Sequence, residues 1–188
     1  MGAGSKEERL AAGWRCTDTV RLARQLLNWR LCRRFEDGRV LRFPITETEA
    51  YDGPEDRACH ASRGLTPRTA VMFEPGGVWY VYLCYGVHWM LNLVTGPKDY
   101  PAAILLRGIT VAEGPGRLTR HLAIERGLNG KNAAQASGLW LETGEPWPDK
   151  SIEALPRVGI GYAGEPWVSL PWRFKVNTRH LKNAKNHA

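Results

Sequence analysis

The chain contains no Cys-x-x-Cys pair. Its four cysteines, Cys16, Cys32, Cys59 and Cys84, are scattered, which argues against a zinc knuckle or a dense disulfide framework and for a reduced, intracellular setting. The opening MGAGSKEERLAAGW lacks the apolar run of a signal peptide, and the closing NTRHLKNAKNHA has no lipidation signal, so a cytoplasmic location is expected. No internal repeat, low-complexity tract or linker interrupts the sequence. One domain over residues 1–188 is expected, with flexible ends at 1–14 and 178–188.

Acid is the scarcer charge. With 26 Lys and Arg against 19 Asp and Glu, the net charge is +7, and a pull toward polyanions such as nucleic acid follows. Charge alone does not separate DNA from RNA or anionic lipid. Gly76 to Pro97, GGVWYVYLCYGVHWMLNLVTGP, has no charged residue at all and approaches the length of a membrane span. Its composition is aromatic and β-branched, it carries His88 and Asn92, and Gly86 divides it into two strand-length halves, so it reads as a buried β-hairpin with no membrane partner.

What is present is 43% apolar residues, eight of them tryptophan, enough for a real core. Apolar positions at helical spacing predict an amphipathic helix over Thr17 to Phe35, capped by Thr17 or Asp18. Arg39 to Tyr51 reads as a strand, Pro54 to Glu74 as a long ordered loop, Tyr100 to Ile109 as a buried strand, and Gly114-Pro115-Gly116 as the start of a helix. Further strands are expected at Gly138 to Glu142, Arg157 to Tyr162 and Arg173 to Val176. Many strands and few helices give an α+β fold: a single domain built on a curved antiparallel sheet or open barrel, with helices outside.

The stretch ITETEAYDGPEDRACH concentrates acid in a basic chain. On an extended strand Ile45, Glu47, Glu49 and Tyr51 share one face. A carboxylate set among apolar walls is harder to ionise and can serve as a general base near neutral pH. Exposed glutamates paired with arginine are the plainer account of a lone Glu-x-Glu. A third reading gathers Glu47, Glu49, Asp52, Glu55, Asp56 and His60 as ligands for Mg²⁺ or Mn²⁺ in a nuclease, but no acidic partner recurs at the ends of later strands. Arg107 closes the apolar run AAILL, and Glu49 is a candidate anchor for it.

In the hairpin, Tyr80 and Tyr82 share a face, and Tyr85 falls next to Gly86 at the tip. An exposed tip aromatic on a basic protein can wedge into a base stack, and an inward one can stack on an extruded base, although core packing is the commoner role. A non-catalytic nucleic-acid-binding barrel would use the same aromatics. His60 and Asn92, taken singly, read as ordinary hydrogen-bonded residues.

In order and spacing, TETEAYDGPEDRACH, TPRTAVMFEPGGVWYVYLCYG, the Asn92 strand, ILLRG, EGPGRL and RVGIGYAG resemble the alkyladenine (3-methyladenine) DNA glycosylase family of the human type, over about Thr17 to Val176. The compact length resembles bacterial members. The return strand VHWML and the loop Ala61 to Leu65 depart from the human-type pattern, which bears on lesion preference more than on reaction. The resemblance implies a monofunctional base-excision repair enzyme that flips a damaged purine out of double-stranded DNA and hydrolyses its N-glycosidic bond. No cofactor or metal is expected, and a monomer is the default expectation. By the same resemblance Glu49 activates the water, while Arg107 and the Val158 carbonyl hold it. Tyr51, His60 and Tyr82 wall the base pocket, Asn92 crowds normal guanine, and Tyr85 enters the duplex from a protruding hairpin. Arg63, Arg68 and Arg117 are candidate phosphate contacts. With Glu49 as base, Asp52, Glu55 and Asp56 read as the polar loop that carries His60. No lysine lies between Ile45 and Asn92, so a lyase reaction is not expected.

Overall fold

The apolar spacing after Thr17 produces a far shorter helix than its period suggests. A computed structural model describes Trp14 and residues 18–177, so Thr17 and nearly all of both chain ends lie outside the described residues. Helix α1 spans Thr19–Gln25, with the Asp18 carboxylate accepting from the Arg21 amide as its N-cap. A single 3₁₀ turn, Leu26–Asn28, buries Leu26 and Leu27 completely. The chain then becomes strand β1, Trp29–Arg34, where a continued helix was expected. Tertiary pairing overrides the helical period here. β1 lies between two neighbours and fills its backbone hydrogen bonds from both sides, while Leu31 and Cys32 are buried.

The spine of the sheet is β2, Val40–Asp52. Its first half pairs with β1, and its second half runs between β5 (Ala102–Ile109) and β9 (Arg173–Val176). The predicted hairpin is present as β3 (Trp79–Cys84) and β4 (His88–Val94), and β7 (Leu139–Thr143) closes the far edge. The main path runs β3-β4-β5-β2-β1-β7, with the short β6 (Ala112–Glu113) on β5 and β8 (Ile152–Leu155) on β9. All the pairings are antiparallel, giving an α+β domain around one open nine-stranded sheet.

Alternation along the strands sends successive side chains to two different places. Trp79, Val81, Leu91, Leu93, Ile104, Leu106 and Ala50 face the main core under α1 and helix α2, Pro115–His121. Tyr80, Ala103 and Tyr51 face a second cluster, closed by Cys59, Ala61 and Met72 from the loop after β2. That loop carries 3₁₀ turns at His60–Arg63 and Ala70–Phe73 and covers this face as an ordered segment.

Two details differ from the sequence expectation. Ile45 does not share a face with Glu47, because a β-bulge separates them: Ile45 pairs with Ile109, Glu47 with Gly108 and Thr48 with Leu106. The bulge flips the alternation, so Ile45 joins the core while Glu47, Glu49 and Tyr51 turn the other way. Gly108 allows this close fit, since a Cβ there would stand 2.9 Å from the Thr46 hydroxyl and 3.3 Å from the Glu47 Cβ. The second difference is the strand expected at Arg157 to Tyr162. It is a loop with a turn at Gly161–Ala163, and the strand lies upstream as β8.

Candidate active site

On the face opposite the main core, β2, β5 and the hairpin meet the loops after β2 and β8 around a cavity of about 340 Å³. Its lining brings together Glu49, Arg107, Val158, Tyr51, His60, Tyr82, Asn92 and Tyr85, residues drawn from five separate stretches of sequence.

Glu49 is fully buried and its carboxylate is held by donors. The Tyr51 hydroxyl donates to Oε1 at 2.6 Å, the Val158 amide donates to Oε2 at 3.0 Å, and Arg107 Nη1 stands 3.4 Å from Oε2. All three point donors at the carboxylate oxygens and fix its orientation. Apolar walls alone, as the sequence suggested, are therefore an incomplete description of this site. Arg107 is anchored first by Glu47, with Nε donating to Oε1 at 2.9 Å, and only more loosely by Glu49. Arg173 from β9 donates to the same Glu47 oxygen at 3.0 Å. Val158 meets Glu49 through its N–H, a contact different from the carbonyl role implied by the family resemblance.

The walls are aromatic. His60 and Tyr82 lie with ring centres 4.5 Å apart and nearly edge to face, and Tyr80 lies 5.2 Å from Tyr82. His60 Nδ1 and the Tyr80 hydroxyl share a hydrogen bond of 3.2 Å. Burial, with the Arg68 charge adding to it, pushes His60 down to about 4, so the imidazole is neutral at pH 7. Burial and then the Glu49 carboxylate hold the Tyr51 phenol well above its usual range, which keeps it a proton donor. Buried Asn92 donates from Nδ2 to the Tyr80 carbonyl at 3.1 Å, which fixes the amide against the hairpin.

At the mouth, Tyr85 occupies the hairpin tip, 97% exposed and with φ of +50°, beside Gly86 at +71°. Two positive φ values in succession make the chain reverse within three residues, and the tyrosine projects from that reversal. Tyr162 is 70% exposed at the same mouth, its hydroxyl tied to the Ala58 carbonyl at 3.0 Å. Arg63 and Arg117 are exposed, while the Arg68 guanidinium lies 5.2 Å over the Tyr82 ring and so borders the pocket wall.

The acidic stretch does not gather as a metal cluster. Glu47 is taken up by two arginines and Glu49 by the three donors above, while Asp52 turns to the other face and accepts from the Tyr100 hydroxyl at 3.3 Å. No group of three or more His, Cys, Asp or Glu among the described residues is placed to hold a metal ion. Asp56 is more than part of a polar loop: it is fully buried and forms a two-pronged ion pair with buried Arg157, at 2.5 and 2.9 Å. Sequence reasoning missed this pair, because its members lie 101 positions apart and no local spacing rule reaches so far. It also missed Tyr162, for which the signal was present: a tyrosine bracketed by Gly161 and Gly164 reads as a turn.

The methylpurine-DNA glycosylase family model matches residues 14–180. A protein of Anaeromyxobacter dehalogenans is 44% identical over 176 residues, covering 89% of this chain and 83% of that protein. Proteins of Psychrobacter cryohalolentis (41% identical, 81% of this chain and 84% of that protein) and Methanocella arvoryzae (42%, 83% and 86%) match similarly. All three bear the name "Putative 3-methyladenine DNA glycosylase". The family match spans the sheet, the hairpin and every residue of the cavity, and the chain belongs to the methylpurine-DNA glycosylase family.

Proposed function

We propose that this member of the family is a monofunctional DNA glycosylase that extrudes an alkylated or otherwise modified purine from double-stranded DNA and hydrolyses its N-glycosidic bond, leaving an abasic site. The observation that carries this reading is the fully buried Glu49 at an aromatic-walled cavity, with three donors on its oxygens and Arg107 beside it. A buried carboxylate is costly unless it is held in this way, and such a constellation goes beyond what stacking on bases requires.

In the proposed reaction Tyr51, His60 and Tyr82 wall the extruded purine, and Tyr85 fills the gap left in the duplex. Glu49 takes a proton from a water that attacks C1′, with Arg107 and the Val158 carbonyl orienting that water. The C1′–N bond breaks, and its electron pair leaves with the purine. Alkylation at N3 or N7 makes the purine cationic, so it departs as a neutral base without an acid. Hypoxanthine or ethenoadenine needs a proton as well. Asn92, fixed to the Tyr80 carbonyl, crowds the exocyclic amino group of normal guanine. Among the described residues the cavity lining contains no lysine, which supports hydrolysis without a lyase step. Arg63, Arg68 and Arg117 serve as phosphate contacts, with no reading of sequence.

The test is single-turnover excision from duplexes carrying 3-methyladenine, 7-methylguanine, ethenoadenine or hypoxanthine, with EDTA present. Release of a free base from a strand that stays intact until alkali treatment is expected. Strand scission that EDTA abolishes would point to the nuclease reading, and failure to release any base would leave a nucleic-acid-binding barrel.

A further inference from the structure

The three donors on Glu49 come from unequal surroundings. Tyr51 and Arg107 belong to central strands, but Val158 lies in a segment after β8 that is part of no strand. Something else must hold its amide against Glu49. The residue before it, Arg157, sends its side chain into the protein interior, where it is completely buried. Nη1 donates to the Ala50 carbonyl at 3.0 Å and to Asp56 Oδ2, and Nη2 donates to Asp56 Oδ1. The guanidinium carbon lies over two rings, 5.0 Å from the centre of Tyr51 and 4.9 Å from that of Trp172.

These contacts converge on the proposed base. Ala50 is the residue between Glu49 and Tyr51, so Arg157 grips the backbone of β2 at that point. It also backs the Tyr51 ring, whose hydroxyl donates to Glu49, and by chain connection it sets the Val158 amide, which donates to the other oxygen. Arg173 helps from outside, donating to the Pro156 carbonyl at 2.8 Å while also holding Glu47. Neither Asp56 nor Arg157 lines the cavity.

We propose that Asp56 and Arg157 form a positioning pair: Asp56 holds the Arg157 fork, and Arg157 sets two of the three donors, the Tyr51 hydroxyl and the Val158 amide, on Glu49. The inference rests on Glu49 being the general base. A buried ion pair is a weak way to gain stability, since apolar residues of the same volume often do as well or better. What it supplies is geometry, because a planar guanidinium with paired donors fixes direction as well as distance. Its Nε has no hydrogen-bond partner among the described residues.

The test separates the excision step from binding: single-turnover excision of 7-methylguanine is compared with affinity for the lesion duplex for wild type, Arg157→Lys and Asp56→Asn. Arg157→Lys keeps the charge and loses the fork, whereas Asp56→Asn keeps the shape and loses the charge. The groups facing Glu49 are Tyr51 on its own strand, Arg107 from β5, Tyr82 from β3 and the Val158 segment, with Arg173 acting through Glu47. With donors displaced, the maximal excision rate per active, DNA-bound enzyme falls, by about tenfold for one charge-assisted hydrogen bond misplaced, while affinity for the lesion duplex stays as in wild type. Tyr51→Phe, which removes one of the donors directly, lowers the rate likewise, and adds less in an Asp56→Asn background than in wild type. A purely structural pair would lower the active fraction or the melting temperature and leave the rate per active enzyme in place, and that result in a folded variant overturns the proposal. Should both pair variants fail to fold, Trp172→Leu, which removes one ring beside the guanidinium and leaves the ion pair, carries the same two outcomes. A Glu49→Gln variant as fast as wild type sinks Glu49 as base. A slow Glu49→Gln variant beside unchanged pair variants sinks only the positioning role.

Discussion

At the scale of single residues, the site depends on charge states that burial has set. His60 is the clearest case: its folded value of about 4 lies below the ordinary 6.5, because burial and Arg68 both oppose its protonation. The folded state therefore resists a proton that the unfolded chain accepts. The sign follows directly. This contribution to stability is fully present above about pH 6.5 and is lost as the pH falls toward 4. Urea melts between these limits should show stability falling with acid, and His60→Gln should flatten that fall. An equally steep fall in the variant would mean that other groups take up the proton. His60 was legible in sequence only through the family motif, since a lone loop histidine has no distinguishing local mark. The partners of Arg107 show the same limit. A carboxylate anchor follows from the rule against unpaired buried charge, but which glutamate it is depends on the bulge at Thr46 and on Arg173 from a distant strand.

At the scale of elements, the hairpin carries the mouth of the site. Alternating burial divides β3 between core and cavity, with Trp79 and Val81 inward and Tyr80 and Tyr82 on the pocket side. The turn at Tyr85 and Gly86 ends the pairing and projects a ring that no described residue covers. Tyr85→Ala should leave folding unchanged and weaken binding to lesion duplex, with most of the loss appearing as a faster return of the base to the stack. Stopped-flow fluorescence of ethenoadenine, which brightens when unstacked, would report it, and equal lifetimes in the two proteins would remove Tyr85 from the extrusion step. The hairpin was readable because a charge-free aromatic run split by glycine has few other structures open to it. The stretch after Thr17 was misread because Leu26, Leu27 and Leu31 satisfy a helical period, while β1 is made by partners at Val40–Pro44 and Leu139–Thr143 that no local pattern reveals. Likewise RVGIGY is β-like in composition, yet its backbone is spent on holding Val158 against Glu49 and Tyr162 at the mouth.

At the scale of the whole molecule, one sheet serves two purposes. Its inner face packs α1 and α2 and supplies most of the buried apolar surface, while its other face, under the loop after β2, forms the cavity. The division follows from strand alternation, and the bulge in β2 puts Glu47, Glu49 and Tyr51 on the cavity side together. The net charge of +7 favours polyanions without selecting a sequence, and in the proposed reaction selectivity belongs to the cavity. No helix among the described residues is long and apolar enough to cross a membrane. The open α+β sheet was legible from the count of strand-like runs, whereas the threading of β2 between β5 and β9 was not, because three distant segments make it. The central claim is that Glu49 activates the attacking water, and its most direct test is Glu49→Gln, which keeps size and one accepting oxygen but cannot take the proton. Under single-turnover conditions with a 7-methylguanine duplex, the variant should fold and bind DNA yet release base at least roughly a hundredfold more slowly. A variant that releases base as fast as wild type would contradict the account.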